Sequence, residues 1–259
     1  MDHEMLVNLG LSKYKVFKEE PKKFFVRSVV AGLYLGVATI LSYTLGALLF
    51  ENHPTFAKIA LAGTFGIGLA AISLLGSELF TGNCFVTIMP VFDKQIKFVK
   101  ILPMWLVCYL GNFVGIFLVC FLFVKSGVNS VILTEYIKDV MHHKMDFDAV
   151  QLFIKGILCN FTVCVAAYAG IKLKNEVAKI IMYLVIVMAF VLPGFDHSIA
   201  NMGSITIGFA ELGSRLPMNW VPLHMLLTTL GNIVGGAFLL GWPIYTINRP
   251  KITKKAYQK

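Results

Sequence analysis

Gly194-Phe195-Asp196-His197-Ser198-Ile199-Ala200-Asn201-Met202 interrupts an otherwise apolar region that runs from Val177 to Ile207. Ile180 to Pro193 before it and Gly203 to Phe209 after it are almost wholly apolar. An acid, an imidazole, a hydroxyl and an amide therefore fall near the middle of one membrane crossing. Pro193 lacks an N–H and Gly194 has no side chain, so a continuous helix is disfavoured here. A broken helix with polar residues at mid-bilayer depth marks a functional site. The plainer alternative is a loop buried between helices with its polar groups satisfied internally. A second, similar break earlier in the chain weighs against that alternative.

The composition puts this break in a membrane. The chain of 259 residues is 57% hydrophobic and 14% charged, with a mean hydropathy of +0.75. Several apolar stretches reach the roughly 20 residues that span a bilayer. An all-α membrane protein with one transmembrane domain over residues 1–259 follows, because only helices or closed barrels satisfy their backbone groups in lipid. Cys84, Cys108, Cys120, Cys159 and Cys164 lie in apolar segments without metal-ligand spacing and read as buried thiols. Met1 to Pro21 is polar and charged and does not read as a cleavable signal peptide.

Taken in order, residues 1–23 mix Leu6, Val7, Leu9, Leu11, Val16 and Phe17 with lysines, as an amphipathic helix on the membrane surface would. Spans are expected at about 24–50, 59–92, 101–124, 150–171, 177–209 and 220–247, the second interrupted at Gly76-Ser77-Glu78 and Thr81-Gly82-Asn83. A short helix is expected around Glu135 to His142, and a basic tail over 248–259. Six crossings put both ends on one side. That side holds most of the Lys and Arg; the other holds only Lys58, Lys125, Lys138, Lys144, Lys155 and Arg215. The positive-inside rule makes both termini cytoplasmic in a cell (inner) membrane. The net charge of +9 thus reflects the loops and does not point to nucleic acid.

The halves repeat. Gly111-Asn112-Phe113-Val114-Gly115 matches Gly231-Asn232-Ile233-Val234-Gly235. Glu78-Leu79-Phe80-Thr81-Gly82-Asn83 matches Asp196 to Asn201 as acid, four residues, Asn. Phe25-Val26-Arg27 matches Phe153-Ile154-Lys155. An odd number of spans per repeat makes the second copy inverted, giving two inverted three-helix repeats with broken second and fifth helices and a permeation site between the breaks. Glu78 and Asp196 are the acids deep in apolar regions. Two readings stand: a proton or cation site, or carboxylates that accept backbone N–H bonds from their own loops; their equivalent repeat positions favour the second. Asn83 and Asn201 would satisfy loose backbone groups.

His197 and Thr81 lack repeat partners, their equivalents being Leu79 and Ile199. They could line the middle of a pathway, His197 donating a hydrogen bond or a proton, or could be internally satisfied. Phe65, Leu69, Leu79 and Phe190 could form apolar constrictions or pack the core. Constrictions of this kind make a bare anion expensive. The adjacent histidines of His142-His143-Lys144 suggest a metal, but no cysteine stands near them and no metal site is expected. Lys144 at an outer mouth either attracts anions or is a solvated loop lysine. No phosphate-binding glycine loop, H-E-x-x-H or G-x-S-x-G is present, and no enzyme or cofactor is implied.

The opening stretch closely resembles the G-F-E-H-S-I-A-N-M segment of the formate/nitrite transporter family. Glu78 to Asn83 resembles that family's Ω-shaped loop, and His143-Lys144-Met145 and Gly156-Ile157-Leu158-Cys159-Asn160 match at family spacing. The resemblance covers about Pro21 to Ile247. It implies an aquaporin-like six-helix protomer, a homopentamer with a pore in each protomer, and passage of small monovalent anions such as formate, nitrite or hydrosulfide. Gly111, Gly115, Gly231, Gly235 and Gly236 would help helices of such an assembly approach closely. By motif, His197 and Thr81 become the pore centre. Phe65, Leu69, Leu79, Phe80 and Phe190 become constrictions, Leu69 and Leu79 on the cytoplasmic side, Phe65 and Phe190 on the outer. Lys144 and Lys15 become the vestibule lysines, and Glu78, Asp196, Asn83, Asn160 and Asn201 the loop-supporting groups. Asp196 stands where the family usually has Glu, which shortens that arm. The implied function is a passive, pH-sensitive channel; the competing one is an ion-coupled transporter of a small carboxylate using Glu78 or Asp196.

Overall fold

The computed structural model describes residues 2–128 and 130–250; the expected tail beyond residue 250 lies outside them. Among the described residues all regular elements are helical. They are α1 (Asp2–Glu19), α2 (Pro21–Phe50), α3 (Pro54–Leu74), α4 (Phe80–Val86), α5 (Met89–Phe92), α6 (Phe98–Lys125), α7 (Ser130–Met145), α8 (Ala149–Lys172), α9 (Glu176–Val191), α10 (Ser198–Leu212), α11 (Val221–Ile233) and α12 (Gly241–Asn248). A π-helical segment, Val234–Leu240, joins the last two without a break.

α2, α3, α6, α8 and the run Val221–Asn248 are each long and apolar enough to cross a membrane. Their polarity is reversed relative to a water-soluble core. Ser28, Thr39, Asn112, Asn160, Thr228 and Asn232 are fully buried, while Val37, Leu106, Leu122 and Leu226 each expose more than half of their surface. Such an exterior suits lipid and is costly in water.

Glycine sets the tightest contacts. A Cβ on Gly115 would overlap the Val29 carbonyl of α2, and one on Gly235 would overlap the Ile157 carbonyl of α8. The glycines expected to serve contact between protomers are therefore used inside the chain, drawing α6 onto α2 and the π-helical segment onto α8.

Two further expectations change. α1 does not rest its apolar side on lipid alone: Leu6 and Val7 are buried to 1% and 3% exposure within the protein core, and Gly10 abuts Pro90. The helix before α8 covers Ser130–Met145, longer than the expected turn or two. Leu133, Ile137 and Met141, four residues apart, form its buried stripe.

Candidate functional site

The two breaks form by the same local chemistry. α3 ends at Leu74, Gly76 turns the chain at φ +76°, and α4 restarts at Phe80. α9 ends at Val191, Gly194 turns it at φ +83°, and α10 restarts at Ser198. A side chain is strained at such φ, so glycine occupies both turns. The residues just before the restarts have almost the same backbone: Leu79 at φ −100°, ψ 129°, and His197 at φ −99°, ψ 119°.

A buried asparagine closes each break. Asn112 Nδ2 donates to the Ser28 and Glu78 carbonyls at 2.7 and 2.8 Å, and its Oδ1 accepts from the Phe80 N–H at 2.9 Å. Asn232 Nδ2 donates to the Gly156 and Asp196 carbonyls at 2.8 and 3.0 Å, and its Oδ1 accepts from the Ser198 N–H at 2.8 Å. Unpaired in lipid, each of these groups would cost about 1–3 kcal/mol. Neither asparagine was expected to hold a loop, although the Gly-Asn repeat had marked both. Asn160 ties the halves together, its Nδ2 donating to the carbonyls of Thr81 at 3.2 Å and Asn232 at 2.7 Å. Asn83 Nδ2 donates to Cys108 Sγ at 3.3 Å.

The two acids do not accept from their own loops, as had been expected. With the restart N–H groups taken by asparagine, each carboxylate turns instead to a lysine on a helix outside the spans. Glu78 Oε2 accepts from Lys13 Nζ of α1 at 2.5 Å. Asp196 Oδ1 accepts from Lys144 Nζ of α7 at 3.1 Å and from Asn201 Nδ2 at 3.0 Å. Lys144 also donates to Asn201 Oδ1 at 2.8 Å. Burial pulls the Lys144 pKa down, but the neighbouring Asp196 more than offsets this and holds it above the ordinary lysine value. Lys144 is thus no free charge at an exposed mouth. Lys15 is a correction outright: its side chain is 69% exposed and lies near Glu19, 3.8 Å away, while Lys13 points inward. His224 was missed. It is 1% exposed, its Nε2 accepts from Asn201 Nδ2 at 3.1 Å, and Phe147 and Trp220 pack edge-on against its ring.

At the centre, the first turns of α4 and α10 meet where His197 Nε2 and Thr81 Oγ1 lie 3.1 Å apart. The Ala200 N–H donates to His197 Nδ1 at 3.1 Å. Because that N–H can only donate, neutral His197 carries its proton on Nε2 and presents it to Thr81. A second proton on the ring would have to displace the cap. Phe190 stacks on the imidazole with centroids 6.1 Å apart.

Three cavities line up through this point. One of about 380 Å³ lies under α1, lined in part by Lys13, Arg27, Leu69, Glu78, Leu79 and Asn83. One of about 170 Å³ lies beside α7, lined in part by Phe65, Lys144, Phe190, Asp196, His197 and Asn201. Between them a space of about 10 Å³ is bounded by Leu35, Phe65, Leu69, Leu79, Val163, Val187, Phe190 and His197. That is at most the room of one water. Phe65, Leu69, Leu79 and Phe190 therefore converge on one narrow point. Phe80 does not: it packs edge-on against Tyr109, with its backbone N–H on Asn112, since α4 turns that side away from the gap. Leu35, Val163 and Val187 had no signal within long apolar runs.

A family model described as "Formate/nitrite transporter" matches residues 2–246. An uncharacterized transporter, YwcJ of Bacillus subtilis, is 31% identical over 241 residues, covering 92% of this chain and 94% of that one. The nitrite transporter NirC of Escherichia coli is 33% identical over 226 residues, 85% of this chain and 82% of that one. Among solved structures, one described as an FNT family ion channel superposes with a TM-score of 0.88 at 27% identity, covering 96% and 99% of the two chains. A pentameric formate channel with formate bound superposes at 0.76 with 24% identity, covering 89% and 98%, and shares the fold. The chain belongs to the formate/nitrite transporter family.

Proposed function

We propose that the protein is a passive, pH-sensitive channel for small monovalent anions or their conjugate acids, with formate, nitrite and hydrosulfide as the solute class. The observation that carries this reading is the His197–Thr81 contact at the narrow point between two vestibules. A hydrated anion does not fit about 10 Å³, and a bare one in an apolar ring costs many kcal/mol. A solute stripped of water needs a donor at that point, and the Nε2–H of His197 is one. The second donor is the Thr81 hydroxyl. The Ala200 cap on Nδ1 favours hydrogen-bond donation by neutral His197 over proton transfer. The pH sensitivity then comes from the solute: flux of a weak acid rises as pH falls and its neutral form grows.

The remaining roles follow. Phe65, Leu69, Leu79 and Phe190 strip water. Lys13 and Lys144 hold Glu78 and Asp196, and with Asn83, Asn160 and Asn201 keep the breaks open. Six crossings, with α3–α5 and α9–α10 as the broken second and fifth, form two inverted repeats of an aquaporin-like protomer. Both termini face the cytoplasm of the inner membrane, so the α1 vestibule is the inner one, and five protomers assemble with one pore each. The competing reading, an ion-coupled transporter, needs an acid free to take a proton or cation, whereas Glu78 and Asp196 each hold a lysine.

Uptake of radiolabelled formate, nitrite and hydrosulfide into proteoliposomes tests this. Flux should follow the solute gradient and pH with no Na⁺ requirement. Accumulation against the solute gradient, or dependence on Na⁺, would favour the coupled transporter instead.

A further inference from the structure

Charge is distributed unequally between the two vestibules. Beside α7, the charged side chains are Lys144 and Asp196, paired at 3.1 Å. Under α1, Lys13 and Glu78 cancel in the same way at 2.5 Å, but Arg27 of α2 also lines the space. Among the described residues Arg27 has no carboxylate within 4 Å and no side-chain hydrogen bond; its contact with the break is through its carbonyl, which accepts from the Glu78 N–H at 3.3 Å. Ser12 and Ser77 line the same cavity and carry hydroxyls that can donate to an anion, while the Ser73 hydroxyl is held by Tyr183. With about 380 Å³ against 170 Å³, this vestibule has room for an anion that keeps part of its water.

We propose that Arg27 makes the vestibule under α1 an anion-binding site that the opposite vestibule lacks, and so sets unequal apparent affinities at the two faces of the pore. This rests on the passive anion channel proposed above. A guanidinium in a partly dehydrated space concentrates monovalent anions on the order of tenfold. A passive path with no voltage must have equal Vmax/KM from either side. Arg27 therefore lowers KM and Vmax together for flux starting at its own face, without driving net transport.

The test uses radiolabelled formate in vesicles of either orientation, with the voltage clamped to zero. In the wild type, KM at the Arg27 face should be on the order of tenfold lower than at the α7 face. Arg27→Gln should raise that KM and the matching Vmax together and leave KM at the α7 face unchanged; Arg27→Lys should keep most of the asymmetry. Equal KM values at the two faces of the wild type overturn the proposal without any variant, as does an Arg27→Gln that leaves the ratio of the two KM values unchanged. Absence of passive formate, nitrite or hydrosulfide flux in the wild type overturns the channel reading itself and takes this inference with it.

Discussion

The break at residues 75–79 and the break at 192–197 share a glycine turn, an asparagine clamp and a carboxylate held by an outlying lysine. They differ at the residue before the helix restart. Leu79 offers no polar group, whereas His197 caps α10 through Nδ1 and reaches Thr81 through Nε2. What the breaks share builds the fold; where they part, a hydrogen-bond donor enters an apolar gap. The three repeat matches meet at the clamps: Ser28, Glu78 and Phe80 around Asn112 correspond to Gly156, Asp196 and Ser198 around Asn232.

The largest effects should come from the shared parts. Asn112→Ala and Asn232→Ala each strand two carbonyls and an N–H, and each should destabilise by roughly 3 kcal/mol. Thermal melting in mild detergent checks this. Equal losses uphold the equivalence of the two clamps; a loss at one site alone breaks it.

His197→Leu makes the second break resemble the first. Removing the donor should cut flux by about a hundredfold, the equivalent of about 3 kcal/mol at the barrier, while assembly on native gels stays that of the wild type. Flux within a few-fold of wild type would detach function from the difference between the breaks.

The lysine pairs sharpen the comparison further. Lys13 sits on α1, whose buried apolar anchors are Leu6 and Val7, and Lys144 on α7, held by the longer stripe of Leu133, Ile137 and Met141. Lys13→Met should release α1 and increase protease cleavage within residues 2–19 several-fold, at a stability cost of about 1–2 kcal/mol. Lys144→Met should leave α7 protected. Equal protection of α1 in both variants would mean Leu6 and Val7 alone hold it down.

Much of this was legible. The order of the repeats, the breaks and the His197–Thr81 asymmetry follow from residue types and spacing. Helical period could also have chosen Lys13 over Lys15: Leu6, Gly10, Lys13 and Phe17 share one face, and Lys15 lies off it. The clamps were beyond reach because each asparagine bonds groups more than thirty residues away in sequence, and spacing carries no distance. Leu35, Val163 and Val187 stayed hidden for another reason, since an apolar residue in an apolar span looks the same facing lipid, core or pore.

The smallest predicted effect tests the central claim, that His197 works as a neutral donor. An asparagine there can cap the Ala200 N–H with its oxygen and present an amide N–H toward the gap, yet it cannot titrate. Formate uptake by His197→Asn should therefore stay within about threefold of wild type and keep the wild-type dependence on pH. Uptake that persists but no longer varies with pH would contradict the claim and make His197 the proton donor.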